Sequence, residues 1–438
     1  MFRLIKDLCS YRTSVVSDEN EKLFKRINDE IPINILKVKS DTEHNGWVVP
    51  KKWKVKKAKI FRNGKLIFDA NLHYLGVGYY SKSFKGKVSY NDLKKKIVTN
   101  KKLPTAYMFH CEWQYRPWAA DWRIVIPYDK FKEFPKSGEY FVDLETTYED
   151  GEMLIGVAEV KGKTDKVIVL NSNNCHPGMA NDGFAGTTVL IEIMKFISSV
   201  KPFYTYRLII APEHLGSVFY LRSLKKSEIS KIIFGIFEEM PGTKGKIRVT
   251  KSFKGENYID LAFKNALNCY FPKTHIISGW REGAGNDETV WESPGYEIPF
   301  VELTRCESTF KPYKEYHSSL DTPELMNLKK LEEFIFLLKK VIFIFENNFL
   351  VKRKFNGLIC LSNPKYDLYF EREDPTIKKN LKEDSEIWGK FQDHLPRYLD
   401  GNFSILDIAN KFNLSFEDLF IYLSKFKEKN LVSFKRIF

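Results

Sequence analysis

The 438-residue chain has few cysteines, and no two of its six thiols are spaced as a CxxC pair. This pattern argues against a disulfide framework and is typical of reduced cytoplasmic proteins. No apolar run approaches the ~20 residues of a membrane-spanning helix. The first residues form a short amphipathic stretch and not a secretory signal, and neither repeats nor low-complexity tracts are apparent. We therefore expect a soluble, cytoplasmic protein without a membrane partner.

Positive charge is in excess, with a formal net charge of +14. Such an excess can indicate a nucleic-acid or membrane partner. Here the lysines are scattered in short clusters such as Lys51-Lys52 and Lys94-Lys95-Lys96, and no single basic stripe emerges. The pattern favours a solvated surface over a polyanion-binding face, so we do not expect a nucleic-acid partner.

The hydrophobic pattern divides the chain into segments of different character, and its length predicts two or three domains. Residues 1–40 have apolar side chains at helical spacing, whereas residues 41–134 are rich in short alternating runs. In this second segment Asn63-Gly64 is typical of a hairpin turn. From about 138 to 350, strands and helices alternate. The strands are expected at 153–160, 166–173, 205–211 and 231–238, and the helices at 183–199, 215–226 and 323–347.

This alternation predicts an α/β fold with a mixed sheet flanked by helices. We expect residues 1–40 and 135–354 to form one domain and residues 41–134 to form a small β-rich insertion. Residues 355–438 show helix-turn-helix spacing, with serine caps at Ser404 and Ser415, a turn at Asn413 and a final strand. We interpret this segment as a winged-helix-like domain, either a structural or protein-contact module or, less favoured by its acidic second helix, a DNA reader.

Side chains of metal-ligand and general-base types lie where predicted strands run into loops. In open α/β sheets, ligands bind at the carboxyl ends of strands. Imidazole nitrogens and carboxylate oxygens fit zinc or a related divalent ion. A hydrolytic site also needs a carboxylate that takes a proton from water, and Glu213 is the best candidate. The candidate residues are His176, Asp182, Glu213, His214, Glu238, Glu239 and His317.

Several segments together carry a resemblance to a known family. They are Gly46-Trp47-Val48-Val49-Pro50-Lys51-Lys52-Trp53, Cys175-His176-Pro177 with Ala180-Asn181-Asp182, Pro212-Glu213 with Leu215-Gly216, Asn286-Asp287-Glu288 with Ser293-Pro294-Gly295, and Glu315-Tyr316-His317-Ser318-Ser319-Leu320-Asp321. The chain resembles, over essentially its whole length, the zinc-dependent aminopeptidase-like proteins of bacterial surface-polysaccharide gene clusters. These belong to the wider clan of di-zinc aminopeptidases and carboxypeptidases.

The resemblance implies a set of roles and a cofactor. In the wider clan, a first histidine binds one metal, an aspartate bridges two, and a Glu-Glu pair supplies base and ligand. A further acid and a last histidine complete the set. The matching residues here are His176 as first ligand, Asp182 as bridge, Glu213 as general base, Glu239 (or Glu238) as the further acid and His317 as last ligand. The implied cofactor is zinc.

Three departures from the clan pattern leave the number of metals at one or two per chain. Glu239 stands where the clan often has an aspartate, and its side chain is longer. His214 stands at the position of the second glutamate, where an imidazole can still ligate a metal but changes the charge of the site. Pro177-Gly178 replaces the familiar HxD pattern after the first histidine. The carboxylate that orients this histidine is therefore missing or supplied from elsewhere.

The sequence also offers candidates for substrate binding. Asp287 or Glu288, in a glycine-rich loop, binds a substrate ammonium or caps a helix. Tyr316 precedes the last candidate ligand. Arg305 holds a substrate carboxylate in a bidentate manner or forms a structural ion pair with Glu302 or Glu307.

Three functions are compatible with these residues. The leading hypothesis is a zinc-dependent, aminopeptidase-like hydrolase of peptide or acyl-amide bonds, acting on a small molecule or short peptide. The alternative is a non-peptidase of the same scaffold that modifies or binds an amino-acylated sugar or nucleotide-sugar intermediate. The third is a regulator in which the metal is structural and the C-terminal domain binds nucleic acid. A homo-oligomer is compatible with each of them.

Overall fold

The computed structural model describes residues 1–308, 312–370 and 383–438. These residues divide into two compact units. The first comprises Met1–Phe253 with Ser278–Ile335, and the second comprises Lys254–Ile277 with Phe336–Phe438. The domain limits that the sequence suggests, after residues 40, 134 and 354, differ from this division and stay predictions.

The helices match the predicted positions closely in the central part of the chain. The predicted helix at 183–199 consists of a π-helical turn at Ala180–Ala185 followed by α6, and the helix at 323–347 begins as a 3₁₀ turn at Pro323–Leu325. The α-helices are α1 (Phe2–Leu8), α2 (Glu19–Asn28), α3 (Tyr90–Lys96), α4 (Glu112–Tyr115), α5 (Tyr128–Phe131), α6 (Gly186–Val200), α7 (Leu215–Ser223), α8 (Lys226–Ile229), α9 (Tyr258–Tyr270), α10 (Glu288–Trp291), α11 (Leu328–Asn347), α12 (Glu383–Tyr398), α13 (Ile405–Phe412) and α14 (Phe416–Glu428).

The strands of the α/β segment also lie within a residue or so of the predicted ranges. In chain order the strands are β1 (Asn34–Lys39), β2 (Glu43–His44), β3 (Trp47–Val48), β4 (Lys52–Arg62), β5 (Lys65–Asp69), β6 (Phe84–Ser89), β7 (Ile97–Val98), β8 (Ile124–Val125), β9 (Glu139–Glu149), β10 (Glu152–Val160), β11 (Val167–Asn173), β12 (Thr205–Ala211), β13 (Ile232–Glu238), β14 (Lys246–Thr250), β15 (His275–Ser278), β16 (Phe300–Cys306), β17 (Phe349–Arg353), β18 (Asp400–Ser404) and β19 (Val432–Arg436).

The main sheet of the first unit is mixed, and its strands lie in the order β1-β10-β12-β11-β13-β16-β14. The strands β12, β11, β13 and β16 are parallel to their neighbours in this series, whereas β1, β10 and β14 pair in antiparallel fashion. The predicted fold class, a mixed sheet flanked by helices, is therefore confirmed. The parallel centre brings the carboxyl ends of four strands to one edge.

Burial on both faces explains why the central strands are continuously apolar. Val167, Ile168, Val169 and Leu170 of β11 are each at most 3% exposed. Helices cover parallel sheets on both sides, so a strand at the centre has no solvated face and needs no polar alternation. The strands become polar only at their carboxyl ends, where Asn171 to Asn173 are buried as well.

The β-rich region, residues 41–149, has its own antiparallel sheet in the order β5-β4-β9-β6. The predicted hairpin is confirmed, because β4 and β5 pair across Asn63 and Gly64, which have φ angles of 49° and 76°. Positive φ at both turn residues is what a two-residue hairpin turn requires. The strand β9 lies beyond the predicted limit of the insertion, so the sheet continues directly towards β10.

The second unit contains a three-stranded antiparallel sheet in the order β18-β17-β19, together with α13 and α14. Ser404 and Ser415 cap these two helices, and Asn413 between them has a φ of 52°. The predicted helix, turn, helix and strand therefore all form. Their interpretation as a winged-helix domain stays a prediction.

Contrary to the expectation from the sequence, one segment of the described chain, Ala180–Val200, is long and apolar enough to cross a membrane by length and composition alone. In the fold, 67% of its tested window is buried. That degree of burial is usual for a core helix that packs against a sheet.

Candidate metal centre

The parallel strands deliver five ligand-type side chains to one edge of the main sheet. Glu213 follows β12, Glu239 follows β13, and His176 lies in the loop after β11. Asp182 lies in the π-helical turn that continues this loop, and His317 lies between β16 and α11. Because parallel strands share a carboxyl edge, residues far apart in sequence meet there.

The side-chain atoms of this cluster lie within a few ångströms of one another. The Nδ1 atom of His176 is 3.3 Å from Oδ1 of Asp182, and its Nε2 atom is 3.4 Å from Oε2 of Glu213. The Nε2 atom of His317 is 3.1 Å from Oδ2 of Asp182. Three overlapping groups have ligand atoms within 4.8 Å of one another: Cys175-His176-Glu213, His176-Asp182-His317 and Asp182-Glu213-Glu239.

Three of these atoms are buried and, although each lies close to another member of the cluster, make no hydrogen bond among the residues that the structure describes. They are Nε2 of His176, Oδ2 of Asp182 and Nε2 of His317. An unsatisfied buried polar group costs roughly 1–3 kcal/mol. A cation bound to all three atoms would satisfy them, and imidazole nitrogen with carboxylate oxygen is a ligand set of zinc. The residues present therefore fit such an ion.

The orientation of His176 comes from the backbone of Asp182. The Nδ1 atom of His176 lies 3.1 Å from the carbonyl oxygen of Asp182, so with a proton on Nδ1 the ring donates there and leaves Nε2 for a metal. This carbonyl replaces the orienting carboxylate that the sequence pattern lacks. Gly183 allows the arrangement, because its φ of 138° is in the region that side chains disfavour.

Asp321 fixes the turn that carries Asp182. Its carboxylate accepts hydrogen bonds from the backbone nitrogens of Asn181 at 2.8 Å and of Asp182 at 3.0 Å. The hydroxyl of Tyr313 donates to the same carboxylate at 2.7 Å. Burial raises the pKa of Asp321 to about 6, against these hydrogen bonds. The sequence analysis placed Asp321 only in a motif and gave it no role.

Two amides that the sequence analysis did not select hold the carboxylates Glu213 and Glu239 together. Asn286 donates from Nδ2 to Glu213 at 2.7 Å and to Glu239 at 3.1 Å. Asn173 donates to the same two carboxylates at 3.3 and 3.5 Å. Amides offer neutral donors, so the two acids approach each other without a cation from the protein. Asn173 ends β11, and an asparagine at a buried strand end is the signal that identifies it.

A strained turn separates Glu213 from His214. His214 has φ 54° and ψ −61°, and the backbone nitrogen of Leu215 donates to the carbonyl of Glu213 at 2.6 Å. This three-residue turn with positive φ is rare because it is strained. Asp287 stabilises it by accepting from the nitrogen of His214 at 2.5 Å and from the hydroxyl of Ser217 at 2.7 Å.

His214 consequently does not join the cluster. Within the described part of the chain, none of the three ligand-type groups contains His214. Its imidazole lies instead against the indole of Trp47, with ring centroids 5.8 Å apart. The structure thus separates the two residues that the clan pattern pairs.

Burial and neighbouring charge oppose each other throughout the cluster. Burial lowers the pKa of His176, but Asp182 and Glu213 outweigh it and hold the pKa well above its ordinary range. Burial raises the pKa of Asp182, yet His176 and His317 bring it well below its ordinary value. Burial, with the charges of Asp182 and Glu213, raises the pKa of Glu239. The imidazoles and carboxylates of the cluster thus compensate one another's charges only in part.

The two adjacent glutamates at the end of β13 have different surroundings. Glu239 belongs to a ligand-type group, whereas Glu238 does not within the described residues. The Glu238 carboxyl is fully buried and has no hydrogen-bond partner in the described structure, and burial raises its pKa well above the ordinary range. These surroundings favour Glu239 as the ligand.

Two of the candidates for substrate binding, Glu288 and Tyr316, lie next to the ligand-type cluster. Glu288 is buried and accepts two hydrogen bonds from the nitrogen of Asn286, and burial with the charge of Glu302 raises its pKa to about 8. Tyr316 stacks on His317 with ring centroids 4.0 Å apart. Tyr316 therefore contacts a residue of the ligand-type cluster, and Glu288 contacts Asn286, which binds Glu213 and Glu239.

Arg305 has a structural environment. Its guanidinium donates to three backbone carbonyls and lies 2.6 Å from the carboxylate of Glu333. The ion pair suggested by the sequence thus exists, but its partner is Glu333 and not Glu302 or Glu307. With its donors engaged in this way, Arg305 does not hold a substrate carboxylate.

Comparison with known proteins places the chain in a family. A family model described as a domain of unknown function, DUF4910, matches residues 2–348, and the chain belongs to this family. A Clostridium acetobutylicum protein carries the provisional name of a polysaccharide biosynthesis protein with an aminopeptidase-like domain. It is 28% identical over 355 residues, which cover 80% of this chain and 78% of that protein.

Solved structures show the same fold. A crystal structure of a provisionally named peptidase from Clostridium acetobutylicum has a TM-score of 0.80 and 24% identity, and the match covers 99% of this chain and 95% of that one. BSAP, a zinc aminopeptidase from Bacillus subtilis, has a TM-score of 0.60 and 14% identity, covering 78% and 93%. The chain therefore has an aminopeptidase-like fold.

Proposed function

We propose that this protein is a zinc-dependent hydrolase of peptide or acyl-amide bonds. The observation that carries the proposal is the trio of buried, partnerless atoms on His176, Asp182 and His317 at the carboxyl edge of the sheet. Buried polar atoms without a hydrogen bond are uncommon, and a bound ion is one of the explanations that such atoms call for. The aminopeptidase-like fold and the zinc aminopeptidase among its structural neighbours support the choice of metal and reaction.

Each member of the cluster has a distinct part in this proposal. His176, Asp182, Glu239 and His317 would hold zinc, and Asp182, which shares one ligand-type group with both imidazoles and another with Glu213 and Glu239, is the proposed bridging ligand. When bound, zinc lowers the pKa of water and polarises a carbonyl oxygen. The chain supplies the ligands, their orientation and the proton acceptor.

Glu213 is the proposed general base. Its side chain is 17% exposed, whereas that of Asp182 is 1% exposed and Glu239 is 2% exposed, so Glu213 is the carboxylate of the cluster that water reaches most readily. Its carboxylate accepts a proton from the attacking water and later donates it to the amide nitrogen. The carbon–nitrogen bond then breaks, and the products are a carboxylic acid and an amine.

The test measures metal and turnover in the same preparations. Zinc per chain is determined by elemental mass spectrometry for the untagged wild-type protein, Glu213→Gln and Asp182→Asn, and a panel of aminoacyl and N-acyl amides is assayed with each. We expect Glu213→Gln to retain zinc and lose about 100-fold or more in kcat, in the range typical of a lost general base. Asp182→Asn should lose zinc and activity together.

The outcomes separate the parts of the proposal. Zinc binding with full activity in Glu213→Gln would show that another residue is the base. No zinc in the wild-type protein, after purification without chelator and with zinc added, would refute the metal site. Zinc without activity on any amide would favour the second candidate, a protein that modifies or binds an amino-acylated sugar, which the name of the Clostridium relative and the displaced His214 support.

A further inference from the structure

A large cavity in the first unit lies beside the strained turn that carries Glu213 of the candidate metal centre. Its volume is about 450 Å³, within the ~300–1,000 Å³ of small-molecule sites. His214 lines it, while the preceding Glu213 belongs to the ligand-type cluster. Thr289 also lines it, and its hydroxyl donates to the carbonyl of Asn286, whose side chain binds Glu213. The cavity is therefore connected to the proposed base, Glu213, by two short paths. One runs through the backbone of His214, and the other through Thr289 and Asn286.

Aromatic rings form much of the cavity wall. Two indoles, a phenol and two imidazoles contribute, and the ring of Trp47 lies against His214. Flat aromatic faces pack against the apolar face of a ring-shaped ligand. The aromatic lining residues are His44, Trp47, His214, Trp280 and Tyr296.

Two donors on this wall have no partner within the described residues. The indole nitrogen of Trp280 is buried and makes no hydrogen bond there. Arg281, the next residue, is exposed and makes no hydrogen bond or ion pair in the described structure. Its guanidinium lies against Gly285, where an added Cβ would come within 2.5 Å of Nη1. Arg281 thus lies at the cavity wall, and its positive charge has no acidic partner within the described residues.

The cavity contains no acidic side chain among the described residues that line it. A substrate ammonium would find no counter-charge there, so this cavity does not suit a lysine side chain or a free amino terminus. Its unpaired groups are donors, and one of them carries a full positive charge. The complementary ligand has many oxygen acceptors, a negative charge and a ring with an apolar face.

We propose that this cavity binds an anionic sugar ring, which bears its charge as a carboxylate or a phosphate. The inference rests on the proposed function, because it makes the sugar a part of the amide substrate. The ring packs against Trp47 and Trp280, and the acidic group pairs with Arg281. The amide bond then extends past His214 towards Glu213.

Binding is tested by isothermal titration calorimetry on the Glu213→Gln protein, whose turnover we expect to be about 100-fold or more slower, with probes that contain no amide bond to a second residue. The probes are glucuronate, glucose 1-phosphate, glucose and glucosamine. We expect one or both anionic sugars to bind about tenfold or more tightly than glucose, since hydrogen bonds to charged groups are stronger than neutral ones, and glucosamine to bind least. The preferred anionic probe identifies carboxylate or phosphate as the recognised group.

Variants locate the binding site. Arg281→Ala should reduce the affinity for the anionic probe by about tenfold and leave the affinity for glucose unchanged. The control Arg3→Ala removes the same charge from another exposed arginine and should change neither affinity. Trp280→Phe keeps a ring but removes the indole donor, and should weaken both sugars.

Some results would overturn the inference. Equal affinities for glucuronate, glucose 1-phosphate and glucosamine, or unchanged binding in Arg281→Ala, would do so. Phenylacetate binding as tightly as the anionic sugars would show that the cavity selects an aromatic acid. Because calorimetry needs no turnover, failure of the hydrolase proposal leaves these affinities measurable, and failure of sugar binding leaves zinc content and amide hydrolysis unaffected.

Discussion

Glu213 and His214 are neighbours in sequence, but Glu213 belongs to the ligand-type cluster and His214 lines the cavity. The turn between them has a positive φ and a short hydrogen bond from Leu215 to Glu213, so the two side chains leave the backbone in different directions. Backbone strain of this kind persists only where surrounding groups enforce it. Asp287 is the enforcing group, because its carboxylate binds the nitrogen of His214 and the hydroxyl of Ser217.

Removing Asp287 should therefore affect Glu213 without touching a proposed metal ligand. In Asp287→Ala we expect kcat on the amide substrate to fall by at least about tenfold, because a misplaced base loses part of the 10²–10⁴-fold typical of such groups, with zinc content unchanged. KM should change much less than kcat. The measurement is a pair of steady-state kinetic profiles with zinc determined in each preparation.

Asp287→Asn provides the rescue. Its Oδ1 atom still accepts from the nitrogen of His214, and its amide nitrogen donates to the hydroxyl of Ser217. This variant should recover most of the activity that Asp287→Ala loses. A residue needed only for general stability would lower the yield and Tm of both variants without changing kcat per zinc.

The candidate site is partly predictable at the scale of single residues. Histidines and acids after apolar strands identify His176, Glu213 and Glu239, because strand ends meet at one edge of a parallel sheet. The direction of His214 depends on one φ angle, which no spacing pattern contains. The partner of Arg305 is Glu333, 28 positions away, and proximity in sequence had favoured nearer glutamates.

The π-helical turn Ala180–Ala185 is the element on which the metal centre depends most. Asp182 has a non-helical ψ of 75°, and the following Gly183 has φ 138°. The turn is held by Asp321 through the nitrogens of Asn181 and Asp182. It supplies both the Asp182 carboxylate of the ligand-type cluster and the carbonyl that lies 3.1 Å from Nδ1 of His176.

A side chain at Gly183 should disturb this element and the metal with it. Gly183→Ala forces a residue with a Cβ into a disfavoured φ, at an expected cost of about 1–3 kcal/mol. We expect a lower Tm and a zinc affinity reduced by about tenfold or more, since coordination depends on the position of Asp182. Calorimetric zinc titration and thermal denaturation measure the two effects.

Gly64→Ala is the matched control for backbone strain. Gly64 also has a positive φ of 76°, but it lies in the β4–β5 hairpin and an added Cβ would meet nothing within 4 Å. Its substitution should lower Tm through strain and leave zinc affinity unchanged. Equal zinc affinities in both glycine variants would contradict the role that we assign to the π-helical turn.

At the scale of the whole molecule, the metal centre is assembled from segments between residues 173 and 321, with Phe109 from the β-rich region packed against both imidazoles. The mixed character of the sheet and the positions of its central strands and helices followed from apolar periodicity, which responds to burial, whereas the strand order did not. Apolar periodicity did not indicate the limits of the compact units. The strand β9 pairs within the sheet of the β-rich region, yet the chain continues directly from it into β10 of the main sheet. Periodicity cannot indicate which sheet a strand joins.

Metal removal should destabilise the entire first unit. The zinc-free protein retains buried partnerless atoms on His176, Asp182 and His317, and ligand binding stabilises a fold by about 4 kcal/mol at 1,000 times Kd. We expect a chelator to lower Tm by several degrees and added zinc to restore it. Asp182→Asn should show the same Tm with and without chelator, and a chelator effect as large as in the wild-type protein would contradict the assignment.

The β-rich region is joined to the metal centre by backbone as well as by side chains. The nitrogen of Phe109 donates to the carbonyl of His317, and Tyr107 and Ser319 exchange two further hydrogen bonds. The position of His317 thus depends on the packing of a segment that contributes no candidate ligand of its own. We therefore expect a substitution that loosens this contact, far from the carboxylates in sequence, to lower the zinc content of the protein as well as its Tm.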